Sequence, residues 1–195
     1  MKALMLFILL CFFSYLIGSI PFGKIVALRH DVDIQKVGSG NIGFANVVRT
    51  LGFKIALPVL IGDVLKGFTP TLIALLYFGR VGAMLVGTIA ILAHIFPVWL
   101  RFRGGKGIAT GLGVMGVMSP ILIPSTLAAY LVGFAYFRDS GPGSLIASYS
   151  LPIVCLFIDI RLSLFYSLLA VIITYAHRNN LRQFFSATRS KRPKV

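Results

Sequence analysis

At 195 residues the chain has room for one domain, and its 57% hydrophobic content and mean hydropathy of +0.92 exclude an ordinary soluble globular protein. The formal net charge of +14 requires no nucleic-acid partner, because positive loops beside anionic lipid headgroups account for it. Cys11 and Cys155 both lie in apolar runs, so neither a disulfide nor a metal site is suggested.

Seven apolar runs follow one another: Ala3 to Ile20, Ile55 to Phe78, Val81 to Leu100, Ile108 to Met118, Pro120 to Phe137, Leu145 to Ile158 and Leu162 to Ala176. A helix crossing takes roughly 20 apolar residues, and fewer where it is buried in a bundle. Ser119-Pro120 divides what would otherwise be one over-long span. The expected fold is an all-α integral membrane protein, a single membrane domain over 1–195 built as a bundle of about seven transmembrane helices. The first run has no small-residue cleavage pattern and further spans follow it, so it reads as helix one rather than a signal peptide. Alternating the crossings puts 21–54, 101–107, 138–144 and 177–195 on one face. Fifteen of the 19 Lys and Arg residues fall there, three fall on the other side and Lys66 lies inside a span. The positive-inside rule then makes that face cytoplasmic, with the N-terminus external and the C-terminus cytoplasmic. The tail from Ser186 to Val195 reads as headgroup-binding charge.

The first polar stretch, Gly38 to Gly52, opens with GSGNIG. This matches the G-x-G-x-x-G dinucleotide fingerprint to the letter, but a Rossmann site needs a βαβ unit and an acid about 20 residues on. Here the chain enters a span, and the acid met is Asp63. A tight turn over Gly38 to Gly40, leading into a short helix from about Ile42 to Leu51 ended by Gly52, fits better. Asn46 and Arg49 then share a face at i, i+3. The N–H groups at the helix start, the Ser39 hydroxyl and the Asn41 amide can converge on one anion, with Arg49 gripping it bidentately. The same residues also suit a polar interfacial turn with Arg49 reaching for headgroups, and spacing alone does not choose.

Inside the spans, Asp63 and Lys66 at i, i+3 can satisfy one another, and His94 reads as a buried hydrogen-bonded residue. Next comes RFRGGKG, Arg101 to Gly107. It is not a Walker A loop, since Leu100 and Gly107 occupy places that motif reserves for Gly and for Ser or Thr. The Gly104-Gly105-Lys106-Gly107 turn nevertheless delivers the chain to a helix N-terminus, where unpaired N–H groups and the dipole favour an anion and Lys106 supplies a point charge. Arg101 and Arg103 suit anchoring to headgroups. In the turn from Asp139 to Ser144, Ser144 is a plausible N-cap whose hydroxyl could instead face the substrate. The last span runs into His177-Arg178-Asn179-Asn180-Leu181-Arg182, where His177 and Asn180 share a face.

Together these motifs resemble the bacterial membrane glycerol-3-phosphate acyltransferases that use acyl phosphate, the PlsY family. That family carries G-S-x-N-x-G-x-x-N-x-x-R, then K/R-x-G-G-K-G-x-A-T, then H-R-x-N-I. The chain supplies Gly38, Ser39, Asn41, Gly43, Asn46 and Arg49, then Arg103 to Thr110, then His177, Arg178 and Asn180. The resemblance extends over Gly18 to Gly23, Asp63 to Gly67 and His94 to Pro97. It departs at Phe44-Ala45, where the family commonly has Ala-Thr, at the Ser140-to-Ser144 loop, and at Leu181.

The resemblance implies acyl transfer from acyl phosphate to the sn-1 hydroxyl of glycerol 3-phosphate, giving lysophosphatidate and phosphate in phospholipid biosynthesis at the bacterial cytoplasmic membrane. It implies catalytic roles for Lys106, His177, Asn180 and Arg49. Phosphate binding falls to Ser39, Gly40, Asn41, Gly43, Asn46, Gly104, Gly105, Gly107 and Ser144. No cofactor, metal, nucleic acid or carrier protein is expected, and the partners are the two substrates and membrane lipids. The His-x4-Asp base of other acyltransferases is missing, since Gln35, Trp99 and Arg182 stand five residues after the three histidines. An acyl phosphate has a good leaving group, so positioning and electrostatics suffice and a donor phosphate oxygen can take the proton. The alternative from another class is a small transporter for an organic phosphate or other anion. Against it, the polar clusters gather at one face rather than at the midplane.

Overall fold

The computed structural model describes residues 1–182, so the basic tail expected from Ser186 onward lies outside them. Eight helices occupy these residues: α1 (Lys2–Gly18), α2 (Phe22–Leu28), α3 (Phe44–Leu51), α4 (Phe53–Ile95), α5 (Ile108–Met118), α6 (Ile123–Phe137), α7 (Ser140–Cys155) and α8 (Ile160–Ala176). No strand occurs among the described residues. An apolar chain without water to bond its peptide groups has this solution available within each segment. Three stretches, Lys2–Leu28, Phe53–Leu100 and Pro120–Phe137, are long and apolar enough to cross a membrane, and Ile108–Met118 and Ile160–Ala176 are shorter apolar helices.

The boundaries differ from the sequence expectation in instructive places. Gly79, with φ 69° and ψ −171°, breaks α4 where two spans were expected to meet, a conformation that costs a residue with a Cβ far more. The second of those spans was expected to run to Leu100 but stops at Ile95. Pro97 disfavours the helical region for Phe96, which sits at φ −121°, and 98–100 form a single 3-10 turn. Helix α7 begins at Ser140 rather than Leu145, because Asp139 caps it by accepting the Gly141 N–H at 3.0 Å, and it ends at Cys155 rather than Ile158.

The described residues divide into two compact units, one over Met1–Ser125 and one from Thr126 onward. In the first, α1, α4 and α5 pack through small residues. A Cβ on Gly67 would run into the Thr110 carbonyl, one on Gly113 into the Val64 carbonyl, and one on Gly18 into Ala90 and Ala93. The end of α1 is pinned by polar contacts: Tyr15 donates to the Phe96 carbonyl at 2.7 Å, and Ser19 Oγ accepts the Val98 N–H at 3.4 Å. In the second unit α7 and α8 are joined by Ser163 Oγ donating to the Pro152 carbonyl at 2.8 Å and by the Tyr149–Thr174 hydroxyl pair at 3.0 Å.

The α4–α5 crossing makes a signed prediction. Gly113→Ala should lower thermal stability in detergent, by about 1–3 kcal/mol, as overpacking of a tight contact does. Gly111→Ala, whose Cβ meets only Ile91 at 3.8 Å, should leave the melting point unchanged or raise it, since alanine is the better helix former by roughly 0.5–1 kcal/mol.

Candidate active site

The segment between α2 and α3 has no regular structure, yet it carries its own apolar core. Ile34, Ile42 and Val47 are buried with Ala27, Ala56 and Val59, flanked by Phe22, Leu51 and Leu100. Burying each large aliphatic side chain contributes roughly 1.5–3 kcal/mol, enough to hold a loop against α4. Helix α2 itself went unannounced in the sequence.

Asn46, expected as a phosphate ligand, is instead the organiser of this loop. It is 2% exposed. Its Nδ2 donates to the carbonyls of Ile34 (3.2 Å), Val37 (3.1 Å) and Asn41 (2.9 Å), and its Oδ1 accepts the Ser39 N–H at 2.9 Å. Gly38, at φ 59°, lies so close that a Cβ would collide with Asn46 Oδ1. Two other expected donors are likewise spent within the protein: the Gly40 N–H bonds the Val37 carbonyl at 3.0 Å, and the Gly43 N–H bonds Asn41 Oδ1 at 3.3 Å. Gly43 is the N-cap, so α3 starts at Phe44 rather than Ile42. What the loop leaves for an anion is the Ser39 hydroxyl, the Asn41 side-chain N–H, the N–H groups of Phe44 and Ala45, and the exposed Arg49 in the last turn.

The second loop doubles back on α4. Arg101 and Phe102 take the left-handed conformation in succession, at φ 51° and 62°. The chain then lays Gly104 and Gly105 against the end of the helix, their N–H groups donating to the carbonyls of Ile95 (3.1 Å) and His94 (3.0 Å). A Cβ at either glycine would strike these atoms or the His94 ring. Gly104 and Gly105 therefore contribute shape, and their N–H groups are not the phosphate donors the sequence suggested. Gly107, at φ 80°, is the N-cap of α5. The N–H groups of Ile108, Ala109 and Thr110 have no preceding helical carbonyl, so the anion-favouring end of α5 opens directly after Lys106, which is half-buried. Arg101 and Arg103 are exposed, in keeping with an anchoring role.

One side chain ties the two loops together. Gln35 Nε2 donates to the Arg103 carbonyl at 3.2 Å, while its Oε1 accepts from Lys24 Nζ at 3.0 Å. Lys24 also bonds Asp33 Oδ1 at 2.7 Å. That hydrogen bond, with the Gln35 N–H and the charge of Lys36, holds the Asp33 carboxyl below the usual carboxylate range. Lys24, Asp33 and Gln35 escaped the sequence reading. The signal available was that Asp33, one of only five acids in the chain, sits between two lysines inside a glycine-bearing loop.

The second unit holds the remaining candidates. His177, 1% exposed, is the C-cap of α8, with Nδ1 2.8 Å from the Ile173 carbonyl. A carbonyl can only accept, so Nδ1 carries the proton and the lone pair of the neutral ring is on Nε2. Asn180, one turn on, stands beside the start of α7: a Cβ on Gly141 would lie 3.6 Å from its Nδ2. Ser144 is not an N-cap. It lies one turn inside α7 and its hydroxyl donates to the Ser140 carbonyl at 2.7 Å, which removes the donor expected for a phosphate. Arg178 is exposed and covers the Tyr175 ring at 4.4 Å.

Residues 8–187 match the model of a family described as glycerol-3-phosphate acyltransferase. The chain is similar to the glycerol-3-phosphate acyltransferase of Sinorhizobium fredii, 40% identical over 94% of this chain and 91% of the relative, and to that of Geobacillus kaustophilus, 38% identical over 94% of each. Two crystal structures of PlsY (YgiH), an integral membrane glycerol 3-phosphate acyltransferase, have the same fold. The glycerol 3-phosphate form superposes with a TM-score of 0.87 and the lysophosphatidic acid form with 0.86, each at 34% identity over 93% of this chain and 92% of that one. With its ordered motifs, its all-helical fold and these relatives, the chain belongs to the glycerol-3-phosphate acyltransferase family.

Proposed function

We propose that the chain transfers a fatty acyl group from acyl phosphate to the sn-1 hydroxyl of glycerol 3-phosphate, releasing lysophosphatidate and inorganic phosphate. The observation that carries this reading is the Gln35 tie, which sets the loop bearing Ser39, Asn41 and Arg49 against the loop bearing Lys106 and the start of α5. Both substrates carry phosphate, and two cation-bearing loops held together can bring two anions into reacting distance against their repulsion. The glycerol 3-phosphate and lysophosphatidic acid forms of the structural relatives supply the acceptor and the product.

The sn-1 hydroxyl oxygen attacks the acyl carbonyl carbon, the bond from that carbon to the phosphate oxygen breaks, and the hydroxyl proton passes to the departing phosphate. No protein base of the His-x4-Asp kind is needed. Lys106 and the α5 N–H groups stabilise charge that grows on oxygen as the bond breaks, and Arg49 grips phosphate bidentately. His177 and Asn180 enter the proposal through the resemblance of their motif. The topology belongs to the same proposal: about seven crossings in the bacterial cytoplasmic membrane, N-terminus external, site facing the cytoplasm, supported by the lopsided Lys and Arg distribution.

The deciding assay uses purified protein in detergent with acyl phosphate and glycerol 3-phosphate. Lysophosphatidate should form, and acyl-CoA should not replace the donor because its thioester lacks the phosphate. Comparable turnover with acyl-CoA would sink the donor assignment. In the same assay Lys106→Ala should lose on the order of 100- to 1,000-fold in rate, as removal of one oriented stabilising group does, while Arg101→Ala loses far less. Equal, mild losses would reduce the loop to an anchor.

Asn46 and Arg49 should separate cleanly. Asn46→Ala removes the partner of four peptide groups, of which the buried Ile34 carbonyl alone costs roughly 1–3 kcal/mol when unpaired, so melting temperature and activity should fall together. Arg49→Ala should keep the wild-type melting temperature and lose activity. For the topology, single cysteines at Ser39, Arg103 and Asn180 should resist a membrane-impermeant thiol reagent applied to intact cells, and labelling of any of them would overturn the one-sided arrangement.

A further inference from the structure

Beneath the Lys106 turn the first unit buries a charged cluster that the proposed chemistry does not use. Asp63 and Lys66, one turn apart in α4, are 1% and 3% exposed. Lys66 Nζ stands 2.8 Å from Asp63 Oδ1 and donates to the Ile20 carbonyl at 2.8 Å, with the Phe22 ring centre 5.8 Å away. His94, also 3% exposed, places Nδ1 3.5 Å from the same carboxylate oxygen. Neither approach to Oδ1 has the alignment of a hydrogen bond. On the far side of the ring, Nε2 faces Gly105 so closely that a Cβ there would collide with it. The His94 carbonyl in turn receives the Gly105 N–H, and Gly105 immediately precedes Lys106.

An apolar side chain in place of His94 would fill the same space without the cost of burying polar groups. What it would not supply is direction. The Asp63 carboxylate 3.5 Å from Nδ1 on one edge and the Gly105 backbone against Nε2 on the other leave the ring plane little room to turn. That plane sets how near Gly105 can approach.

We infer that the Lys66–Asp63–His94 chain positions the Lys106 loop: Lys66 fixes Asp63, Asp63 orients the His94 ring, and the ring sets where Gly105, and so Lys106, stands. His94 is thus a positioning residue for the acyl transfer, acting through the loop. The inference rests on the reading of Lys106 given above.

The test is steady-state kinetics on the full chain in detergent, with melting temperature measured alongside. His94→Leu should lower kcat by about 10- to 100-fold, the penalty of a misplaced catalytic group. KM for both substrates should stay within about threefold, and the melting temperature should be little changed. His94→Gln, which keeps a polar edge toward Asp63, should recover part of the loss. Gly105→Ala should be severe in the wild-type background and much milder in His94→Ala, because the vacated ring space accepts the new methyl group. Should His94→Leu not fold, this Gly105 cycle decides the matter. Folded His94→Leu with kcat within about threefold of wild type, or Gly105→Ala equally harmful with and without His94, would overturn the positioning role. A Lys106→Ala variant with wild-type rate marks the separate failure of the functional reading beneath it.

Discussion

A chain that leaves a helix and packs back against the protein must find new partners for the peptide groups it buries, and this constraint shapes both loops of the first unit. The first loop meets it with one side chain. Asn46 serves three carbonyls and one N–H, closing 34–41 around itself. The second meets it with the backbone of α4, whose last carbonyls, released by the break before Pro97, take the N–H groups of Gly104 and Gly105. In each case satisfying the loop consumes donors that the sequence motif alone assigns to a ligand.

The same constraint governs the acids. Of the five aspartates in the chain, Asp33 is bound by Lys24, Asp63 by Lys66, and Asp139 and Asp159 cap helices by accepting the N–H groups of Gly141 and Arg161. No ion pair joins Arg49 to an acid among the described residues. With four of the five acids committed elsewhere, Asp31 exposed just beyond the end of α2, and two helix starts presenting N–H groups, the loops keep a positive field of the kind that favours an anion.

The helical fold, the break near Gly79 and the grouping of Asp63 with Lys66 were all legible in the sequence, because each is a local matter of hydropathy or i, i+3 spacing. The motifs were legible as motifs, but the roles inside them were not. Ser39, Asn41, Gly43, Asn46 and Arg49 form one pattern on paper, yet Asn46 faces inward and Arg49 outward. Only the tertiary path of 34–41 decides which amide meets a carbonyl and which meets a ligand. Ser144 was misread for a similar reason: a helix can begin at Ser140 once Asp139 caps it, and that moves Ser144 into the first turns, where a serine bonds backward to its own helix. Gln35 left no trace because its contact with Arg103 spans 68 positions and obeys no period.

Glycine in these motifs therefore has two jobs that sequence does not separate. At Gly107 a left-handed turn delivers the chain to the start of α5, and there the glycine favours an anion by freeing backbone donors. At Gly104 and Gly105 it admits close approach to the end of α4, and those donors are spent on the protein. If the donor is acyl phosphate, the second job matters as much as the first. A reaction that uses no protein base gains its rate from placement and fixed charge. Placement is what a loop acquires when its peptide groups are bonded to a helix rather than left waiting for the substrate.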